Sequence, residues 1–115
     1  MGTMIIPLIG STSADGSVNY ITATIPKGVW ELSVISGGCS NAQVSDSFLM
    51  AFELIQGDVN TQIDLYPQIP IYRGHTSVQL YPRIIISNIN AIRVKTEGAS
   101  ATNPIVVYVY LREVP

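Results

Sequence analysis

The run Ile105-Val106-Val107-Tyr108-Val109-Tyr110-Leu111 is apolar on both sides of any strand it forms. In a pleated strand alternate side chains point to opposite faces, so Ile105, Val107, Val109 and Leu111 share one face and Val106, Tyr108 and Tyr110 the other. A strand with one wet face alternates apolar with polar residues. Two apolar faces require two covers, the protein's own core and either a second sheet or a second molecule. Phe48 to Gln56 repeats the pattern, with Phe48, Met50, Phe52 and Leu54 opposite Leu49, Ala51, Glu53 and Ile55. The outward sets of these two strands, Leu49, Ala51, Ile55, Val106, Tyr108 and Tyr110, are the candidate interface residues.

The other apolar runs are short, rich in Ile, Val, Tyr and Phe, and separated by clusters of Gly, Pro, Asn, Asp and Ser. None carries a sustained helical period. Strands are expected at Met4 to Ile9, Val18 to Ile25, Val29 to Ser36, Phe48 to Gln56, Gln62 to Tyr66, Ser77 to Tyr81, Arg83 to Ser87, Ala91 to Thr96 and Ile105 to Leu111, the pair around Pro82 being one broken strand or two. Pro7 suits an edge strand or an N-terminal arm within residues 1–10, because it has no N–H to give a ladder. Pro26-Lys27-Gly28 reads as a hairpin turn between its flanking strands. Gly37 to Ser47 reads as a long exposed loop holding Cys39, and Tyr66 to His75 as an irregular stretch broken by Pro67 and Pro70.

Short strands with no room for crossover helices predict an all-β fold: an antiparallel two-sheet β-sandwich, a jelly roll of about eight strands, in a single domain over residues 1–115. An immunoglobulin-type sandwich fits less well, since its Cys-Trp-Cys pattern is absent.

Composition narrows the function. Charged residues are 12% of the chain, about half the usual share, and Ser, Thr, Asn and Gln fill their place. Such a surface tolerates close packing of copies. A net charge of -2 with six dispersed Lys and Arg offers no basic stripe for a phosphate backbone, so nucleic acid is not an expected partner. No apolar run approaches the ~20 residues of a spanning helix, and the first residues lack a basic signal region, so neither membrane nor secretion is expected.

Chemistry finds few candidates. His75 is the single histidine, and no nucleophile-elbow pattern joins it to Ser77 or another serine, so an enzyme is not expected. Cys39 has no basic neighbour to activate it. Asp58, Asn60 and Asp64 offer oxygen ligands but lack the calcium-loop pattern, and a turn explains Asp58 and Asn60. Two Cys and His residues in all are too few for structural zinc. No metal or cofactor is therefore expected. Glu53 needs a partner if buried, and Arg93 or Arg112 can supply one. Tyr66, Tyr72 and Tyr81 are candidate glycan contacts, which makes a carbohydrate-binding sandwich the alternative function. Trp30 alternates with Leu32 and Val34 and belongs to the core.

Thr22-Ala23-Thr24-Ile25-Pro26-Lys27-Gly28-Val29-Trp30-Glu31-Leu32, then Ala91 to Thr96 and Ile105 to Leu111, resembles small β-sandwich proteins of tailed-phage virions, of the capsid decoration or cement type. The resemblance spans about half the chain and lies in the order of strand, Ile-Pro-x-Gly turn, strand, polar loop and Val/Tyr-rich last strand. It implies a non-enzymatic subunit that forms dimers or trimers and sits on a major capsid or other virion protein. The expected location is the capsid surface, after synthesis in the host cytoplasm without a signal peptide.

Overall fold

A computed structural model gives the fold and describes residues 2–42, 47–57, 61–71 and 74–115. Nine strands form among them: β1 (Thr3–Ser11), β2 (Asn19–Thr24), β3 (Val29–Ala42), β4 (Phe48–Gln56), β5 (Thr61–Ile71), β6 (Gly74–Leu80), β7 (Ile84–Ser87), β8 (Ile89–Glu97) and β9 (Pro104–Glu113). No helix forms among the described residues, so none crosses a membrane.

The strands pair as a rolled hairpin. Thr3 faces Arg112, Asn19 faces Thr96 and Ile35 faces Leu80, with β4 and β5 at the folded tip. Successive pairs go to alternate sheets. The first sheet runs β1-β9-β3-β6, with β7 following β6 along β3; the second runs β2-β8-β4-β5. All pairings are antiparallel, and this is the jelly-roll arrangement of two packed sheets.

The core lies between the sheets and takes one pleat face of each. β9 contributes Ile105, Val107, Val109 and Leu111, β4 contributes Phe48, Met50, Phe52 and Leu54, and both sets are buried. At ~1.5–3 kcal/mol for each large apolar side chain, these rows supply a large share of the folding drive.

Four expectations change. Pro26-Lys27-Gly28 does not close a hairpin: β2 pairs with β8 and β3 with β9, so this turn carries the chain from one sheet to the other. Ile25 still donates to the Asn90 carbonyl at 2.8 Å, and the Trp30 indole donates to the Pro26 carbonyl at 3.0 Å, plugging that end of the core. From Gly37 to Ala42 the polar segment after Ser36 is strand and not loop, and residues 43–46 of the expected loop lie outside the described residues. β3 continues to Ala42 because Gly37 and Gly38, at φ +139° and +136°, adopt a backbone shape closed to other residues and admit β9. A Cβ on Gly37 would sit 2.2 Å from the Val106 carbonyl oxygen. Cys39 is consequently buried in β3.

β5 also continues through Pro67 and Pro70 to Ile71, since it lies at a sheet edge where a missing N–H need not break a ladder. Finally, Val34 leaves the core. The β3–β9 register slips between Leu32 and Val34, so Ser33 is an extra residue, Ile35 takes the buried place and Val34 turns outward beside Tyr110.

A buried polar latch joins the ends of β1 and β9. Thr12 Oγ1 donates to the Ala101 carbonyl at 2.8 Å and accepts from the Asn103 backbone N–H at 2.9 Å, with Thr12 and Asn103 both inaccessible.

Candidate interaction surface

The outward side of the first sheet is built by register. Ile5, Pro7 and Ile9 of β1 stand opposite Tyr110, Tyr108 and Val106 of β9, which in turn stand opposite Val34, Ser36 and Gly38 of β3. The core needs Ile6, Leu8, Val107 and Val109, so strict alternation forces their neighbours to face away. What faces away is apolar. Ile5 is 56% exposed, Ile9 64%, Tyr108 40% and Tyr110 37%, and Pro7 is exposed beside them. The stripe grades into Ser36 and Gln79 toward β6, and at one end into an ion pair, Arg112 Nη2 to Glu31 Oε1 at 3.2 Å. An apolar centre with a polar and charged margin is the anatomy of a protein contact.

The outward side of the second sheet holds the other candidate residues, so the two sets cannot share one contact. Leu49, Ala51 and Ile55 are half-buried on β4 between β8 and β5. Glu53, in line with them, is 3% exposed although it points away from the core. Its Oε1 accepts from Arg93 Nε at 2.6 Å and its Oε2 from Gln62 Nε2 at 2.8 Å. Arg93 donates a second bond to Gln62 Oε1 at 3.1 Å, and its guanidinium carbon lies over the Tyr20 ring, 4.0 Å from the centroid. Gln62 Nε2 also reaches Asp64 Oδ1 at 2.7 Å. Of the two arginines proposed for Glu53, Arg93 is the partner; Arg112 belongs to Glu31 on the other sheet.

The glycan candidates separate. Tyr66, in β5, turns its ring edge-on to Phe52 with centroids 6.5 Å apart, and packs against the core. Tyr81 lies between β6 and β7 of the first sheet, with the Arg83 guanidinium 5.8 Å over its ring. Tyr72 lies outside the described residues, as do Asp58, Asn60 and the His75 side chain. Asp64 is engaged by Gln62, and no group of three metal-ligating side chains occurs among the described residues. An open cleft of about 460 Å³ at one end of the sandwich is lined by Phe48, Leu49, Gln68, Pro70, Ile71 and Glu97 among others, with no exposed aromatic ring.

Two features escaped the sequence. Ile5 and Ile9 gave no signal beyond membership of an apolar first strand, and only its pairing with β9 joins them to the tyrosines. Tyr20 gave none as an arginine platform, since it lies 73 residues from Arg93 in the chain.

No protein-family model matches this sequence, and no curated protein sequence does. Solved structures match in fold. A carbohydrate-binding module, the CBM32 of AlyQ in complex with 4,5-unsaturated mannuronic acid, aligns with TM-score 0.60 and 18% identity over 88% of this chain and 75% of its own. VP2 of infectious bursal disease virus, in a subviral particle, aligns with TM-score 0.57 and 11% identity over 97% of this chain. The chain spans 32% of the length of that VP2. The Drosophila NLP-core, described for its pentamer formation and histone binding, aligns over 100% of both chains with TM-score 0.51 and 14% identity. At these identities the likeness is one of fold, a β-sandwich that viral capsid proteins share with other proteins, and it does not single out tailed phage.

Proposed function

We propose that this chain is a non-enzymatic structural subunit of a virion, of the capsid decoration or cement kind, which self-associates as a dimer or trimer and stabilises a protein shell. The carrying observation is the stripe of exposed Ile5, Pro7, Ile9, Tyr108 and Tyr110 around half-buried Val106 on the first sheet. A chain this poor in charge that leaves isoleucines and tyrosines in water gains by covering them, about 1.5–3 kcal/mol for each side chain fully buried. The fold likeness to VP2 is compatible with that role. A second copy fits the stripe because the molecule, 47 × 27 × 18 Å, offers a face ample for the ~800 Å² per partner of a stable contact. Further contact, with a major capsid or other virion protein at the capsid surface, falls to the rest of the exterior, with nucleic acid and membrane left out. Glycan recognition is the weaker reading, because Tyr66 is used in packing, Tyr81 stands exposed on the other sheet, and the open cleft presents no exposed aromatic ring.

The test is sedimentation of the parent and of Tyr108→Glu. A parent of fixed oligomeric mass and a folded monomeric variant are expected. A parent that stays monomeric at high concentration overturns the proposal.

A further inference from the structure

We infer that this chain is built to meet other copies through a sheet face and is closed to them at all of its sheet edges. The inference deepens the self-association reading, which supplies the partner, a second copy.

The argument starts at β1, whose outer side is an edge nine residues long. Backbone bonds just beyond the two ends of its ladder run from Glu113 N to the Gly2 carbonyl, 2.8 Å, and from Thr12 N to the Asn103 carbonyl, 3.0 Å. The register between them is unbroken, and in an antiparallel ladder bonded pairs alternate with unbonded ones. Even-numbered residues of β1 therefore bond to β9. Thr3, Ile5, Pro7, Ile9 and Ser11 turn their backbone groups outward. A strand arriving at that edge meets Pro7 at its centre, where the donor is missing, while the internal ladder loses nothing by it. At the far end the Ser11 carbonyl is already taken by the Asn19 side chain. Only Thr3 and Ile5 remain as an uninterrupted stretch of paired donor and acceptor.

The other edges are closed by comparable means. β6 and β7 together form the opposite edge of the first sheet and are parted at Tyr81-Pro82-Arg83, where Arg83 takes φ +51°. β5 carries Pro67 and Pro70, and Pro67 and Gln68 bulge opposite Ala51 with Gln68 at φ +25°. β2 has six residues. Proline, bulges and shortness are the devices by which sheets avoid growing at their edges, and here every edge has one. The face has none: the Ile5-Tyr110 and Ile9-Val106 pairs carry no charge across the stripe.

The experiment restores the missing donor. Pro7→Val is compared with the parent, with Tyr108→Glu, and with the Pro7→Val/Tyr108→Glu double variant, by sedimentation over a concentration series and by infrared detection of intermolecular sheet. With the other edges closed, Pro7→Val is expected to join copies through β1 alone, linking the parent's oligomers into larger species and pairing the Tyr108→Glu monomer into a dimer. Pro7→Thr is expected to do the same, which assigns the growth to the N–H and not to added apolar surface. Adding Ile9→Pro, a residue of the same outward parity, should return Pro7→Val to the parent's mass. The inference is overturned if Pro7→Val and Pro7→Thr sediment as their parents do, or if the Pro7→Val/Tyr108→Glu double variant stays monomeric. A monomeric parent whose Pro7→Val variant still grows sinks the self-association reading and leaves the closed edge standing. Silent Pro7 variants beside a Tyr108→Glu that dissociates do the reverse.

Discussion

The two outward faces of this sandwich are made by the same alternation and end in opposite conditions. On the second sheet Glu53, Arg93, Gln62, Asp64 and Tyr20 satisfy one another, so that a carboxylate is almost inaccessible on a side facing water. On the first sheet isoleucines and tyrosines have no such internal answer. A polar surface can complete its own bonding within one molecule, whereas an apolar one is improved only by removing water. The difference teaches where to look for a partner. The closed polar network is complete within one molecule, and the open apolar stripe is where the proposed assembly would gain.

Substitutions can break that division or sharpen it. The largest effect is expected beneath the stripe itself, at Gly37→Ala: positive φ and a Cβ 2.2 Å from the Val106 oxygen must part β3 from β9, costing about 3 kcal/mol or more. Chemical denaturation measures it, and a near-neutral result would mean that β3 and β9 can slide apart freely. Next is Arg93→Ala, which strands the Glu53 carboxylate and should cost about 3 kcal/mol while leaving the oligomeric mass of the folded protein unchanged. If it also dissociated the oligomer, the second face would be an interface too.

Ile9→Glu is the mirror case. It should alter monomer stability by less than about 1 kcal/mol, as substitutions at exposed sites do, yet dissociate the assembly in sedimentation. The smallest effect concerns Asp15, whose exposed carboxylate accepts from the Ser17 hydroxyl at 2.6 Å and its N–H at 3.0 Å. Those bonds, the hydroxyl's first, hold its pKa below the usual value near 3.8. A carboxylate lowered on folding favours the native state above its ordinary pKa and loses that contribution as pH falls through the depressed value. A carbon-detected titration should show Asp15 return toward 3.8 in Ser17→Ala, with the oligomer unaffected.

Much of the fold was legible because period-two patterning is local. Phe48 to Gln56 was bounded correctly, and the buried and outward sets of β9 follow from its sequence alone. What was hidden depends on distant partners. Ile25-Pro26-Lys27-Gly28-Val29 looks the same whether the chain reverses within a sheet or crosses between sheets, and the choice is made by β8 and β9, far downstream. Gly37 and Gly38 look like loop residues until the approach of β9 explains them. Ser33 carries no mark of a bulge, so Val34 could not be assigned outward. The stripe was half visible: Val106, Tyr108 and Tyr110 announce themselves, while their neighbours Ile5 and Ile9 depend on β1 pairing with the other end of the chain. Tyr66 and Tyr81 show the opposite limit, since aromatic character alone does not tell packing from display: Tyr66 packs against Phe52, while Tyr81 is 54% exposed.

Cys39, sealed in β3 between the registers of Ile105 and Thr76, gives the molecule a built-in clock. Its sulfur can meet an alkylating reagent in solution only while β3 and its neighbours are parted. Where alkylation outpaces reclosing, the labelling half-life times how long each molecule keeps its seam shut, and a lengthening at high protein concentration is expected if copies associate as proposed.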